Sequence, residues 1–222
     1  MKSLSVWAAA TALAAAASAA GAAPFASFRV GGVSFRTAIP SGYCVPEGVK
    51  ADVAQLLAAA DDVNVTDLTL FRCAGQSGAS DDDYILVKTP KTVLVTNAPR
   101  RELLDSVGEA FNKPDAAATI FSQKTYDESG KGVGQVLGRD VNLTGDMHPV
   151  GKDNMCAYLG GTLKMKVAST FHEISVGACI TSVGNRVLTV YIYGPDKSSA
   201  GIAALLRRSK QFAQAIEVVP GD

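Results

Sequence analysis

The chain has 222 residues, with 21 Lys and Arg balanced by 21 Asp and Glu, and 47% of it is hydrophobic. This length suits one domain with a sizeable core. A neutral balance leaves no basic footprint for nucleic acid and none for an anionic membrane surface.

The first elements are those of export. Lys2 gives a positive start, Val6 to Ala17 form a short alanine-rich apolar run, and small residues follow. The run is shorter than the roughly 20 strongly apolar residues a bilayer needs, and its flanks are those of a cleaved leader. Two small-x-small frames are present, Ala17-Ser18-Ala19 and Ala20-Gly21-Ala22. The second makes residues 1–22 a signal peptide and starts a single mature domain, 23–222, at Ala23. Cleavage removes Lys2 and Trp7, the only tryptophan. No later run is long enough to span, so the mature form is expected to carry no membrane span and to be periplasmic or secreted.

Four cysteines follow: Cys44, Cys73, Cys156 and Cys179. In an exported chain an even count reads as disulfides, and four cysteines allow three pairings. No Cys-x-x-Cys is present, which argues against a redox motif or a zinc knuckle.

A hairpin opens the mature chain: Phe28-Arg29-Val30, Gly31-Gly32, Val33-Ser34-Phe35. Gly-Gly supplies positive φ, setting Val30 against Val33 and Phe28 against Phe35 on one face. A turn at Pro40-Ser41-Gly42-Tyr43 leads to a helix over about 47–60, with an apolar stripe of Val49, Val53, Leu56, Leu57 and Ala60 at helical spacing. Leu68 to Cys73 reads as a strand and Gly75 to Asp83 as a loop. Tyr84 to Val87 and Val93 to Thr96 read as two short strands. Pro99 opens a helix with Asn97 as its cap and Leu103, Leu104, Val107 and Phe111 on one side. A further helix is expected over 116–126, and Gly130 to Gly138 reads as a loop by composition.

Three strands are drawn at about 156–167, 173–182 and 186–194. Burying Ala157, Leu159 and Leu163 together with Ile174, Val176, Ala178 and Ile180 requires odd residues to pair with even ones. Cys156 and Cys179 meet that parity on the opposite face. A three-residue loop, Val183-Gly184-Asn185, would then place Tyr191 and Tyr193 with Tyr158 on the cysteine face. A helix from Ser198 or Ser199, with Ile202, Leu205, Leu206, Phe212 and Ile216 inward, should cover one side of this meander. The expected fold is α+β: an antiparallel sheet, from the N-terminal hairpin and the C-terminal meander, flanked by helices. This layout selects Cys44–Cys73 and Cys156–Cys179 as the bonds.

The hairpin leading into Pro40-Ser41-Gly42-Tyr43, and the ending Asn185-Arg186-Val187-Leu188-Thr189-Val190-Tyr191 before a closing helix, resemble the PsbP-like fold. That family includes extrinsic subunits of the photosynthetic oxygen-evolving complex and many bacterial relatives. Gly42-Tyr43-Cys44 with Cys73 is similar to exported alphaproteobacterial proteins. The resemblance implies a sheet flanked by helices that docks onto another protein. The four cysteines depart from the photosynthetic members, so no partner contacts carry over.

Catalytic signatures are sparse. His172-Glu173 begins like a zinc-protease helix, but Val176 stands where the second histidine belongs. Gly130-Lys131-Gly132-Val133-Gly134 fits no nucleotide-binding pattern, and no cofactor motif is read elsewhere. Asp81-Asp82-Asp83 lacks calcium-loop spacing, and Asp146, His148 and Asp153 share a Gly/Pro-punctuated loop. The feature favoured for partner binding is the mixed face of Tyr158, Tyr191, Tyr193, Lys164 and Lys166, since aromatic bodies with polar tips suit protein recognition. The expected function is a non-enzymatic module binding another envelope protein. Two alternatives are a hydrolase or metal-dependent enzyme using His148 or His172 with nearby carboxylates, and a small-ligand carrier with a pocket between sheet and helix.

Overall fold

Gly31 and Gly32 hold φ of 53° and 84°, joining β1 (Phe25–Val30) to β2 (Val33–Ala38) in the anticipated register, Val30 opposite Val33 and Phe28 opposite Phe35. The computed structural model describes residues 24–75, 80, 82–115 and 122–221; the segment 1–22, expected as a leader, lies outside them. The other elements are β3 (Tyr43–Cys44), α1 (Val49–Ala59), β4 (Asn64–Arg72), β5 (Tyr84–Pro90), α2 (Arg100–Phe111), α3 (Gln123–Leu137), β6 (Val141–Lys152), β7 (Ala157–Val167), β8 (Thr170–Val183), β9 (Arg186–Gly194), α4 (Ser199–Gln214) and β10 (Ile216–Val218).

Among the described residues the fold is α+β with two antiparallel sheets. A small one runs β1-β2-β10 and a large one runs β3-β4-β5-β9-β8-β7-β6. Alternate residues of the large sheet serve two cores. On one face, Leu68, Leu70, Ile85, Val87, Leu188, Val190 and Ile192 pack with Phe28, Val30 and Phe35 of the small sheet and with Leu205 and Phe212 of α4. On the other, Met147, Leu159, Ile174, Val176, Ala178 and Tyr193 pack with Phe111 of α2 and with Tyr84, Leu86 and Tyr191. Gly177 seats α4, because a Cβ there would stand 2.7 Å from the backbone of Leu205.

Several expectations are corrected. The β8–β9 turn has two residues, not three: Gly184 and Asn185 both hold positive φ (54° and 59°), and Val183 pairs with Arg186. Val190 and Ile192 therefore join the cysteine face, and Tyr191 and Tyr193 turn to the other. Val93 to Thr96 is not a strand, since β5 runs through Pro90 and a 3-10 turn takes Lys91–Val93. Asn97 does not cap α2; Pro99 stands at that position without a side-chain bond. Ile216 lies in β10, beyond the end of α4, opposite Thr37.

The glycine-rich segment 130–138, expected as a loop, is helical. α3 is capped by Ser122, which accepts the Thr125 amide, and ends at Gly138 with φ 61°. Gly130, Gly132 and Gly134 let its backbone approach neighbours: added Cβ atoms would lie 2.9 Å from the Val141 carbonyl oxygen, 2.5 Å from that of Ala60 and 2.8 Å from that of Arg139. Close packing outweighs the low helix propensity of glycine here. The segment carrying Asp146 and His148 is likewise a strand, β6, rather than a loop.

Candidate docking surface

The sequence of α1 has bulky aliphatics on one side and alanines on the other, and the structure seats it the unexpected way round. Ala51, Ala54 and Ala58, at i, i+3 and i+7, are its partly buried residues. Val49 is 79% exposed, Leu56 53% and Val53 40%, and Leu57 is exposed too. No α1 residue is fully buried. Small alanines allow close approach to β4 and α3, where Ala60 meets Gly132. The stripe read from sequence thus faces outward at Val49, Val53, Leu56 and Leu57, while Ala60 packs inward. Val45 and Val63 extend it at either end, both exposed.

Two fasteners hold the chain just before this helix. Cys44 is bonded to Cys73, joining β3 to the end of β4, where Cys73 also donates its amide to Gly42 at 2.9 Å. Beside it, the buried Tyr43 donates its hydroxyl to Asp83 and accepts from Arg208 of α4. Two guanidiniums stand over its ring, Arg72 at 5.0 Å and Arg208 at 5.6 Å. Burial, followed by the Asp83 bond, pushes the Tyr43 hydroxyl up to about 12. Nothing in linear order pairs residues 43, 83 and 208, so sequence alone does not reveal this network. Tyr43 in the Gly42-Tyr43-Cys44 turn is its only visible member.

Between α1 and β4 lies a shallow groove of about 240 Å³ lined by Val49, Lys50, Val53 and Phe71, with the Lys50 ammonium 5.8 Å from the Phe71 ring centre. That volume is below the roughly 300–1,000 Å³ of small-molecule sites.

The residues favoured from sequence do not share one face: Tyr191 and Tyr193 stand together on the face opposite Tyr158. Tyr158 donates to Asp153 Oδ2 at 2.8 Å on the cysteine face. Tyr193 stacks on Tyr84 at 4.2 Å within the second core, with Tyr191 6.4 Å away. Burial pushes Tyr191 up to about 12. Lys164 and Lys166 keep the parity of Tyr158 but stand at the far end of the β7–β8 hairpin. There they meet Glu173 at 3.5 Å and the ring of Phe171 at 5.1 Å, itself 74% exposed.

The histidines also separate. His172 Nε2 is 2.6 Å from Asp82 Oδ1. His148 is exposed on β6 opposite Gly160, whereas His172 faces Met165. Five strand residues put them roughly 16 Å apart along β7. Asp146 and His148 lie on β6 itself, while Asp153 beyond it is taken up by Tyr158, Lys210 and the amides of Met155 and Cys156. Asp81 falls outside the described residues. Among the described residues no three His, Cys, Asp or Glu side chains stand close enough to share a metal ion.

Cys156 and Cys179 are bonded and fully buried. Both disulfides are compatible with export. Among the described residues no helix is long and apolar enough to cross a membrane.

No protein-family model matches the chain, and no curated protein matches it. Among solved structures it is similar to the solution structure of cyanobacterial PsbP from Synechocystis sp. PCC 6803, with 11% identity over 91% of this chain and 96% of that one and a TM-score of 0.40.

Proposed function

We propose that this chain is an exported, non-enzymatic periplasmic module that binds another envelope protein through the outward stripe of α1. The observation that carries this reading is the inversion of α1. A helix whose valines and leucines face water while its alanines face the protein leaves apolar area that a partner would cover. The disulfide and the Tyr43 network beside it support the reading, because a fixed platform loses little entropy on binding.

The test is a pull-down from envelope extract with the mature protein and its Leu56→Asp variant. Leu56 is exposed, so the substitution leaves the core intact. A partner retained by the native protein and lost by the variant is the expected result. Repeated recovery of no partner, or equal recovery by both proteins, would overturn it.

A further inference from the structure

Among the described residues the two sheets end on β1 and β10, and on β3 and β6. Three of these strands offer another chain little backbone. β3 has two residues and β10 three. β6 is long, but α3 lies against it: Gln123 Nε2 donates to the Leu143 carbonyl at 3.4 Å, and Gly130 seats the helix beside the Val141 carbonyl. Short or covered ends keep sheets from pairing with other chains. β1 is the exception.

The two-residue turn decides which groups of β1 are free. Val30 and Val33 close the hairpin as a hydrogen-bonded pair, and Phe28 with Phe35 and Ala26 with Thr37 repeat it at every second position. The N–H and C=O groups of Phe25, Ser27 and Arg29 therefore point away from β2. Among the described residues no backbone group meets them. β10 lies near β8 and β1 near β4, so this edge points outward at the β3-β4 end of the large sheet. It carries no proline and no bulge. The side chains of the same three residues are exposed, Phe25 by 56%.

We infer that this edge pairs with the same edge of a second copy, antiparallel about a two-fold axis at Ser27, joining two three-stranded sheets into one. The strand is self-complementary in that register. Ser27 meets the partner's Ser27, and Phe25 meets the partner's Arg29, each such pair exchanging two backbone bonds. Shifting the axis to Ala26 or Phe28 pairs only two of the three free positions. An arginine suits Phe25, whose ring already carries the Arg36 guanidinium at 5.5 Å. Glu217 neutralises Arg36 at 3.0 Å, so a second guanidinium reaches the ring without facing a bare like charge. A strand edge buries less than the roughly 800 Å² per partner of a stable pair, which makes the association weak and concentration-dependent.

The experiment uses the mature protein in sedimentation equilibrium, where the mean mass should rise with concentration toward twice the monomer value. Ser27→Pro should abolish the rise, because proline removes an outward N–H and leaves the β1–β2 ladder whole. Ser27→Cys, oxidised at high concentration, should give a disulfide dimer, since hydrogen-bonded pairs stand about 5.5 Å apart between Cα atoms, within disulfide range. Arg29→Cys alone should not, because its two copies would stand roughly 13 Å apart along the strands. An equal mixture of Phe25→Cys and Arg29→Cys should cross-link again. A monomer mass at every concentration, association untouched by Ser27→Pro, or equal cross-linking by Ser27→Cys and Arg29→Cys would overturn the inference.

Discussion

Tyr158 and Lys210 meet at one oxygen of Asp153, the hydroxyl donating at 2.8 Å and the ammonium at 2.7 Å. Burial alone would raise the Asp153 carboxyl. Lys210, the amides of Cys156 and Met155 and the Tyr158 hydroxyl outweigh it and hold the group well below the usual carboxylate range. A depressed carboxylate stabilises the fold above its unfolded value near 4, and that contribution is lost as pH falls through the folded value. Asp153→Asn should therefore cost about 1–2 kcal/mol at pH 7. The gap to the native protein should narrow toward pH 2 in urea melts. A constant gap from pH 7 to pH 2 would contradict this.

Asp67 has the opposite sign. It sits at the β4–β5 bulge, accepts from Thr89 at 2.7 Å through Oδ2, and keeps a buried Oδ1 without a hydrogen-bond partner among the described residues. Burial raises it to about 6. Its contribution is fully present below the unfolded value near 4 and is lost as pH rises through about 6. Asp67→Asn, which mimics the protonated form, should raise stability at pH 7.5 by about 1–2 kcal/mol, discounted for partial exposure. It should leave stability at pH 4 unchanged. Thermal melts at the two pH values decide the matter.

Gly132→Ala separates propensity from packing. In a free helix the change would gain about 1 kcal/mol. Here the new Cβ meets the Ala60 carbonyl oxygen at 2.5 Å, so the expected outcome is a loss of about 1–2 kcal/mol. Faster amide exchange confined to α1 and α3 would mark where the strain goes.

The legible parts of this chain are those with local geometry. Gly31-Gly32 dictates its own hairpin register, and the alternation along β7 and β8 is enough by itself to require odd-to-even pairing. Gly184-Asn185 carries an equally local signal, since both residues accept positive φ in a two-residue turn. Burying Ile180 on one face with Leu188 argues for the longer loop instead, and the turn chemistry wins. The difference is one residue of slip, which moves Tyr191 and Tyr193 to the opposite face. α3 is illegible because its glycines serve contacts with Ala60, Val141 and Arg139, which composition cannot reveal. The face of α1 is illegible for a related reason. An aliphatic stripe looks the same in sequence whether it meets a core or a partner.

The two disulfides should open in order. Cys44 is exposed, whereas Cys156 and Cys179 are fully buried. Reduction requires access to sulfur. Graded dithiothreitol followed by alkylation and peptide mapping should label Cys44 and Cys73 first. Simultaneous labelling of all four would mean that the buried bond opens as readily as the surface one.

Export has its own optical check. Trp7 is the only tryptophan, so protein isolated from the periplasm and processed before Ala23 should show tyrosine emission alone. Tryptophan emission from that material would mean the leader is retained.

The bond between Cys44 and Cys73 also sets how tension would travel. β3 contributes only two residues to the sheet edge, a grip that a tugging partner could peel one hydrogen bond at a time. With sulfur bridging it to the end of β4, a pull on α1 is carried through a covalent link into the central strands, and the handle cannot tear away without taking the sheet with it.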